Sequence, residues 1–461
     1  MDLSYSTKNA WETYDSVQKE DVFAFSDGYK SFLNNAKTER LATAEALKIA
    51  KDYGFCDITE KDTLKAGDKV YLVNRNKSVL FATIGKEDIS SGINFVISHI
   101  DAPRIDIKQN PLYEDCDMAL FKTHYYGGIK KYQWTALPLA LYGVVFLNDG
   151  SKIDVSIGDN ENDPVFCISD LLPHLADKQM QQKMFEAFKG ETLNIIVGST
   201  PDSDSEKDKF KTSILKILNE KYKMSEEDFI SAELEAVPAL KATDVGLDRS
   251  IVGSYAHDDR ICAYTSLRAF LETKKPQKTA VCMLVDKEEI GSMGNSGMRS
   301  AFFEFAIATI ISKMTNGYNE LMLKTTLRNS SCLSADVSAA VDPYYQDVSE
   351  KQNAAILGHG IVITKYTGAR GKSGTSDANA EFVFKVRDIF NKANIVWQSA
   401  ELGKTDAGGG GTIAQYVANL DVDVLDCGVS LLSMHAPFEL ASKADIFEAY
   451  KAYKAFYEMC K

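Results

Sequence analysis

The sequence feature that most constrains the fold is a regular alternation of short apolar runs with longer amphipathic runs across residues 247–461. The apolar runs predict strands, at Ala280–Val285, Ile361–Tyr366, Ile395–Gln398 and Val424–Leu432. The amphipathic runs predict helices, at 261–273, 300–314, 376–392 and 411–419. Strands and helices that alternate in this way are typical of an α/β fold, in which helices cover the sheet.

The part of the chain before this region predicts a second domain. Residues 1–50 have a helical pattern, and the apolar run Ile93–Ser98 predicts a buried strand that ends at His99. Between residues 103 and 246 the pattern changes to β-structure, with one helical stretch at 168–188. A chain of 461 residues also exceeds what one hydrophobic core usually supports. We therefore predict an α/β domain of residues 1–102 and 247–461, with a β-rich domain of residues 103–246 inserted into it.

The last helix is predicted at 443–460, where apolar side chains share one face. Ser442 is followed three residues later by Asp445. This spacing indicates a capping box, in which each side chain bonds the backbone N–H of the other residue.

The overall composition excludes several classes of protein. A net charge of −13 and a pI near 5.1, with no basic stripe, disfavour binding to nucleic acid. The N-terminus lacks the pattern of a secretory signal, and the most apolar stretch, Ala301–Ile311, is too short to span a bilayer. The eight cysteines are scattered singly, as expected for free thiols in a reducing compartment. These features predict a cytoplasmic protein that binds neither nucleic acid nor membrane.

Acidic and imidazole side chains recur just after strand-like runs. The five segments that carry them are His99-Ile-Asp101, His257-Asp258-Asp259-Arg260, Asp286-Lys-Glu288-Glu289, Ser334-Ala-Asp336 and Ser433-Met-His435. Open α/β sheets bind ligands at the ends of their strands, so these segments are candidates for one site.

These residue types suit a pair of zinc-class ions. Each such ion takes about four imidazole or carboxylate ligands and keeps a position for water. Two ions about 3.5–4 Å apart also share bridging ligands. One assignment gives His99 and Asp336 to one ion, Glu289 and His435 to the other, and Asp258 to both.

Two further carboxylates fit supporting roles. Glu288 lies next to a candidate ligand, where it could take a proton from the bridging water and pass it to a leaving amine. Asp101 follows His99 by two residues and could hydrogen-bond the far imidazole nitrogen, which would fix the tautomer of the ring.

Each segment taken alone has a simpler interpretation. A Glu-Glu pair such as residues 288–289 is ordinarily a solvated strand end, and Asp258-Asp259 could start a turn or a helix. A histidine at the end of an apolar run, such as His435, is more often hydrogen-bonded within a core. The functional interpretation depends on the joint pattern of the five segments, which supply complementary ligands.

In these motifs the sequence resembles the aspartyl aminopeptidase family, which also includes vacuolar aminopeptidase I. The matching motifs are His99-Ile-Asp101-Ala-Pro-Arg104, Asp258-Asp259-Arg260, Glu288-Glu289-Ile-Gly-Ser292, Ser334-Ala-Asp336 and Ser433-Met-His435. They extend from residue 99 to residue 435, so the resemblance covers most of the chain.

The resemblance implies a metallo-aminopeptidase that acts on peptides with a free N-terminus. It implies a zinc exopeptidase-like catalytic domain, with a mixed sheet in three layers, and an inserted β-rich domain that mediates dimerisation within a dodecamer. It implies two divalent ions per subunit, zinc or else cobalt or manganese. The implied ligands are His99, Asp258, Glu289, Asp336 and His435, with Glu288 as the general base, Asp101 behind His99, and a cis peptide bond between Asp258 and Asp259.

One histidine of the inserted domain resembles a residue that reaches the active site of a neighbouring subunit in this family. The segment Leu171-Leu-Pro173-His174-Leu175-Ala176 makes His174 the candidate for a substrate-contacting or oxyanion-stabilising group supplied by a neighbour. A histidine at a surface or helix start is the alternative interpretation.

The sequence departs from relatives that prefer acidic substrates. After Asp336 those relatives continue with a histidine and a further His-Pro, whereas this chain has Val337-Ser338 and, further on, Asp342-Pro343. A pocket for an acidic side chain needs a cation. Arg370 and Lys372 in the glycine-rich stretch 368–374 could supply one, and a solvated basic loop is the alternative. A preference for acidic residues and a broad or neutral preference therefore both stay open.

Other classes of function are weighed against this one. An N-acyl amino acid deacylase would share the same metal site, and a non-catalytic self-assembling scaffold would keep only the fold. The glycines after Glu289 do not have dinucleotide-binding spacing, and no Gly-Lys-Ser/Thr phosphate loop occurs there. The chain also contains no H-E-x-x-H motif, which excludes the helix-borne site of a single-zinc protease.

Overall fold

The computed structural model describes residues 3–315, 317–368 and 370–461. Contacts within the chain divide it into two compact units. The first contains residues 1–101, 242–434 and 438–461, and the second contains residues 102–241 and 435–437.

The strands and helices of the described residues are numbered in chain order. The strands are β1 Cys56–Asp57, β2 Lys69–Asn74, β3 Ser78–Thr83, β4 Ile93–His99, β5 Arg104–Asp115, β6 Met118–Tyr126, β7 Leu139–Phe146, β8 Lys152–Ile157, β9 Ile195–Gly198, β10 Ala232–Pro238, β11 Thr243–Val245, β12 Ile251–Ser254, β13 Thr279–Val285, β14 Ser331–Ser334, β15 Ser338–Ala339, β16 Ile361–Thr364, β17 Trp397–Ser399, β18 Asp423–Gly428, β19 Ser430–Leu432 and β20 Glu439–Ser442. The α-helices are α1 Ser16–Asn35, α2 Glu39–Asp52, α3 Asp177–Met180, α4 Met184–Ala187, α5 Lys209–Tyr222, α6 His257–Glu272, α7 Phe302–Met314, α8 Glu320–Arg328, α9 Ala380–Lys392, α10 Ala414–Ala418 and α11 Lys443–Met459.

The first unit is built on a nine-stranded mixed sheet. Its strand order is β1-β2-β3-β13-β4-β14-β18-β16-β17. The four central strands β13, β4, β14 and β18 are mutually parallel, whereas β3 and β16 run antiparallel to the strands beside them in this group. Every residue of β4 and β13 is buried, which matches the mostly apolar sequences of these two strands.

Alternate residues of the central strands belong to two different apolar clusters. Val96 and Cys282 pack in one cluster with side chains of α1, α2, α6, α9 and α11. Phe95 and Met283 pack in the other with side chains of α7, α8 and α10. Because successive side chains of a strand point to opposite faces, the sheet lies between two layers of helices. This confirms the predicted α/β class with a mixed sheet in three layers.

A smaller sheet completes the first unit. Its strand order is β11-β12-β20-β19-β15. The antiparallel pairing of β12 with β20 places Ser254 opposite Glu439, so the chain that enters α6 lies beside the start of β20.

The second unit contains an antiparallel six-stranded sheet with the order β8-β7-β10-β5-β6-β9. The helical stretch predicted at 168–188 is wrong. The structure has only the 3-10 turn Pro173–Leu175 and the four-residue helices α3 and α4 there, with none of their residues buried. An apolar helical pattern without a surface to pack against cannot stabilise a long helix.

The C-terminal helix is found as predicted, but its capping box is not. Ser442 precedes α11 without a side-chain bond to the first turn. Asp445 instead points its carboxylate at the backbone N–H groups of Gly358 and Gly360, each at 2.7 Å. The tertiary contact therefore replaces the local one. Among the described residues, no helix combines the length and the apolar character that crossing a membrane requires.

Candidate metal centre

The candidate site lies past the carboxyl ends of the parallel strands of the large sheet. Strand β4 pairs with β13 so that His99 is opposite Val285, and with β14 so that Ile97 is opposite Ser334. Residues that follow these three strands therefore leave the sheet at one edge, which is where open α/β sheets place their ligand sites.

His99 is the centre of the cluster. Its Nε2 atom is 3.1 Å from Oδ1 of Asp258, 3.8 Å from Oδ1 of Asp336 and 4.0 Å from Oε2 of Glu288. Ligand atoms lie within 4.8 Å of one another in the set His99, Asp258 and Glu289, and in the set His99, Glu288 and Asp336. The structure thus brings together five of the residues that the sequence singled out.

Asp101 lies behind His99 and also holds the turn that carries the two glutamates. Its Oδ1 is 3.3 Å from Nδ1 of His99. The same carboxylate accepts the backbone N–H of Glu288 at 3.0 Å and that of Glu289 at 3.1 Å. These two residues begin a 3-10 turn, Glu288–Ile290, directly after β13. A single buried carboxylate therefore connects the imidazole to the turn of the proposed base.

Asp258 lies where the chain enters α6 in a non-helical conformation. Its φ and ψ are −80° and 107°, and those of Asp259 are −118° and 33°. The peptide bond between the two residues is cis, as the resemblance implies. The backbone N–H of Asp258 is bonded to Oε2 of the buried Glu439, at 3.1 Å.

Sequence reasoning missed two acidic residues of this region. Asp259 is fully buried, and its ligand atoms lie within 4.8 Å of those of Asp258 and Asp336. The sequence could have indicated Asp259 as part of the site, because it directly follows the proposed ligand Asp258. Glu439 gave no such signal, because its contact with Asp258 comes from the pairing of β20 with β12 rather than from its sequence neighbours.

The electrostatics of the cluster fit a divalent cation. Burial alone would lower the pKa of the His99 imidazole, but hydrogen bonds to Asp101 and Asp258 outweigh it and hold that pKa well above its usual value. Burial raises the pKa values of Asp336 and Asp259 well above the usual range, although His99 lowers them. Crowded buried carboxylates around one imidazole are costly without a counter-charge, and imidazole with carboxylates is a ligand set that zinc binds.

His435 and His174 both belong to the second unit. The Nδ1 atom of His435 is 2.8 Å from the carbonyl oxygen of Gly128. A carbonyl oxygen only accepts, which assigns the proton to Nδ1 and the lone pair to Nε2. His174 lies exposed in the 3-10 turn Pro173–Leu175.

Arg370 and Lys372 line a cavity of about 220 Å³ together with Glu401 and Lys404. Lys372 is engaged already, since its Nζ is 2.7 Å from Oδ2 of Asp377. Arg370 donates its backbone N–H to the carbonyl oxygen of Thr405 at 3.0 Å. Residue 369 of this glycine-rich stretch lies outside the described residues.

A mixed sheet between two helix layers, with an imidazole and carboxylates gathered past its parallel strands, fits the class of α/β metal-dependent hydrolases. The model of the family described as aminopeptidase I zinc metalloprotease (M18) matches residues 32–457. The chain belongs to this family. It is a metallo-aminopeptidase, a hydrolase that acts on peptide bonds.

Individual relatives agree with this membership and confirm the resemblance predicted from the motifs. A probable M18 family aminopeptidase 1 from Clostridium acetobutylicum is 54% identical over 460 residues, which cover 99% of each chain. The crystal structure of an M18 aminopeptidase from Thermotoga maritima has a TM-score of 0.96 at 48% identity, over 99% of this chain and 100% of that one. The Ape1 dodecamer of S. cerevisiae shares the fold, with a TM-score of 0.76 at 17% identity over 94% of this chain and 96% of that one.

Proposed function

We propose that this aminopeptidase uses two divalent cations, zinc in the native enzyme, to remove single residues from peptides with a free N-terminus. The observation that carries the proposal is a pair of ligand sets that share the carboxylate of Asp258, namely His99 with Asp258 and Glu289, and Asp258 with Asp259 and Asp336. Two neighbouring ions need two such sets with shared members. Cobalt or manganese would be accepted by the same ligands.

The ligands are divided between the two ions. His99 and Asp336 would hold one ion, Glu289 and His435 would hold the other, and Asp258 would be the carboxylate that both share. His435 suits this role because its Nδ1 proton is directed at the carbonyl oxygen of Gly128, so Nε2 has the lone pair.

The chain's own groups then account for the proton transfers. Bound zinc supplies a Lewis acid and lowers the pKa of its water. Glu288 would take a proton from the water that attacks the peptide carbonyl, and would deliver it to the amine released when the C–N bond breaks. The backbone N–H of Glu288 is bonded to Asp101, whose carboxylate also faces Nδ1 of His99. The same carboxylate therefore positions both the base and the His99 ligand. Glu289 would lie on the side of the site where a free N-terminal amine binds, which would restrict cleavage to the first residue.

A preference for acidic N-terminal residues is a finer part of the proposal. It requires a cation beside the substrate side chain. Lys372 is paired with Asp377, which leaves Arg370 as the better candidate. A broad or neutral preference is the alternative.

The relatives are named as aminopeptidases, which favours this function over an N-acyl amino acid deacylase and over a non-catalytic scaffold.

We also propose that the subunits form a dodecamer through the inserted domain, residues 103–246. The relative from S. cerevisiae is a dodecamer. In this chain the segment around His174 exposes several large apolar side chains, between 51% and 69% each: Leu171, Leu172, Leu175, Met180, Met184 and Phe185. Contiguous exposed apolar side chains mark interaction surfaces. The cytoplasmic location stays a prediction of the sequence.

Reconstitution of the metal-free enzyme tests the proposed function. The protein is stripped with a chelator, titrated with Zn²⁺, Co²⁺ or Mn²⁺, and assayed on a panel of aminoacyl-amides and on N-acyl amino acids. We expect activity on free-amine substrates that reaches its maximum at two metal equivalents per subunit. Full activity with one equivalent would contradict the dinuclear site, and hydrolysis of only N-acyl substrates would favour the deacylase.

A further inference from the structure

Glu439 is a buried carboxylate that the mechanism above does not use. Only 1% of the residue is exposed, at the first position of β20. Its Oε2 atom accepts the backbone N–H of Asp258 at 3.1 Å. A buried carboxylate costs free energy unless it is hydrogen-bonded, so its partner is informative about its role. That partner is the residue proposed to bridge the two ions.

The backbone at Asp258 has little support from the helix that follows it. Asp258 and Asp259 have non-helical φ and ψ, although they lie in the first turn of α6. Ala256, two residues earlier, has a φ of +62°. The regular hydrogen bonds of a helix therefore do not determine where the Asp258 carboxylate points, and contacts from other elements must do so.

The residue before Asp258 is anchored from the opposite direction. His257 is fully buried, with Nδ1 2.7 Å from the hydroxyl oxygen of Tyr29 and Nε2 3.0 Å from the carbonyl oxygen of Val252. Because the carbonyl only accepts, Nε2 donates to it and Nδ1 accepts from the hydroxyl. The ring of His257 is thus fixed at both nitrogens, and the peptide N–H of the next residue is held by Glu439.

We propose that Glu439 is a positioning residue for the metal centre, whose carboxylate fixes the backbone of Asp258 and thereby the direction of the bridging carboxylate. This inference rests on the proposed function, in which Asp258 is a ligand. Groups that orient metal ligands typically change metal affinity or activity by about 10–100-fold when they are removed. The hydrogen bond to the N–H, rather than the negative charge, carries the effect.

Two substitutions separate the hydrogen bond from the charge. Glu439→Gln keeps the length of the side chain and an accepting oxygen but removes the charge. Glu439→Asp keeps the charge but withdraws the oxygen from the N–H of Asp258 by one methylene. We expect Glu439→Asp to raise the zinc dissociation constant and to lower kcat by about 10–100-fold, with a smaller change in KM. Glu439→Gln should restore both quantities to within about threefold of the parent, within the range of an ordinary hydrogen-bond change.

Glu448 supplies a matched control. It is a fully buried glutamate of α11, and its Oε2 accepts the backbone N–H of Val396 at 2.8 Å. Glu448→Asp should lower the unfolding temperature of the metal-free protein but leave the zinc dissociation constant unchanged. The constant is measured by competition with a chromogenic chelator, without substrate, and the visible absorption of the Co²⁺-loaded protein reports the ligand geometry.

Three results would overturn the positioning role: parental zinc binding in Glu439→Asp, weaker binding in Glu439→Gln than in Glu439→Asp, or equal loss in Glu448→Asp. If Glu439→Asp does not fold, the positioning role would still be overturned by a tenfold weaker binding of zinc to Glu439→Gln. Asp258→Asn distinguishes this failure from that of the proposed function. Parental zinc content and turnover in Asp258→Asn would contradict the ligand assignment itself, whatever the Glu439 variants do.

Discussion

At the scale of single residues, Glu288 and Glu289 are neighbours in the chain but have different proposed roles. Both have their backbone N–H groups bonded to Asp101. Glu289 shares a ligand set with His99 and Asp258, whereas Glu288 shares one with His99 and Asp336. The turn that follows β13 thus directs the two carboxylates to different parts of one cluster.

Replacing Glu288 by glutamine separates proton transfer from metal binding. Glu288→Gln keeps the shape of the side chain but cannot accept a proton, so kcat should fall by about 10²–10⁴-fold. Elemental analysis should still find two zinc ions per subunit. Parental turnover in this variant would exclude Glu288 as the base, and loss of a zinc ion would identify it as a ligand instead.

His435→Ala should remove one of the two zinc ions and lower kcat/KM by at least about 100-fold, because a direct ligand matters more than a residue that orients one. His359→Ala is the control, since His359 bonds the hydroxyl of Thr7 through Nδ1 and is not a proposed ligand. Zinc content and kinetics of both variants are compared after dialysis. Retention of two ions in His435→Ala would remove it from the ligand set.

The candidate site could be predicted largely from residues that directly follow strand-like runs. His99 ends one fully buried strand, and the Glu288 turn follows another, so their position at one end of the sheet could be predicted from the sequence. The contact of Glu439 with Asp258 was not accessible, because it depends on which strands of the smaller sheet are neighbours. The ligand roles themselves stay predictions that the metal measurements test.

At the scale of secondary structure, the C-terminal helix shows how a tertiary contact replaces a local motif. Asp445 bonds the backbone N–H groups of Gly358 and Gly360 rather than capping α11. Both glycines have positive φ values, +86° and +79°, which residues with a Cβ adopt only with strain. The carboxylate therefore stabilises the tight turn that leads into β16.

Asp445→Ala and Ser442→Ala should differ in their effect on stability. Asp445→Ala leaves two buried N–H groups unsatisfied, and we expect a loss of about 2–5 kcal/mol in the free energy of unfolding. Ser442→Ala removes no cap bond, so the loss should stay below the 1 kcal/mol or so that a serine N-cap typically contributes. Denaturant unfolding of the metal-free variants measures both. Equal losses would favour the capping box over the observed contact.

Long elements with strong periodicity were predictable, and short or unsupported ones were not. Strand β13 and helices α7 and α11 are found within two residues of their predicted bounds. The run predicted as one strand at Val424–Leu432 is two strands, β18 and β19, which belong to different sheets. The pattern of apolar residues indicates which residues of a strand are buried. It does not indicate that the chain moves from one sheet to the other at Val429.

At the scale of the whole molecule, the proposed assembly would explain why the segment around His174 exposes large apolar side chains. Leu175 is 69% exposed and Phe185 is 66% exposed, although both are large and apolar. Covering such side chains in a neighbouring subunit would offset the cost of leaving them in water. In that arrangement His174 acts in a neighbour's active site, so no subunit is complete alone.

Mixing two inactive variants tests whether His174 acts in a neighbour. His174→Ala subunits keep Glu288 but lack the donated histidine, and Glu288→Gln subunits keep the histidine but lack the base. The two variants are unfolded and refolded together in equal amounts. Half of the symmetric pairs should then be mixed, and each mixed pair has one complete site out of two. We therefore expect about a quarter of the parental activity. Neither variant refolded alone should recover, and light scattering confirms that each forms the same oligomer. A mixture no more active than the mean of its components would place His174 outside the neighbour's site, since only an exchange of residues between subunits can complete it.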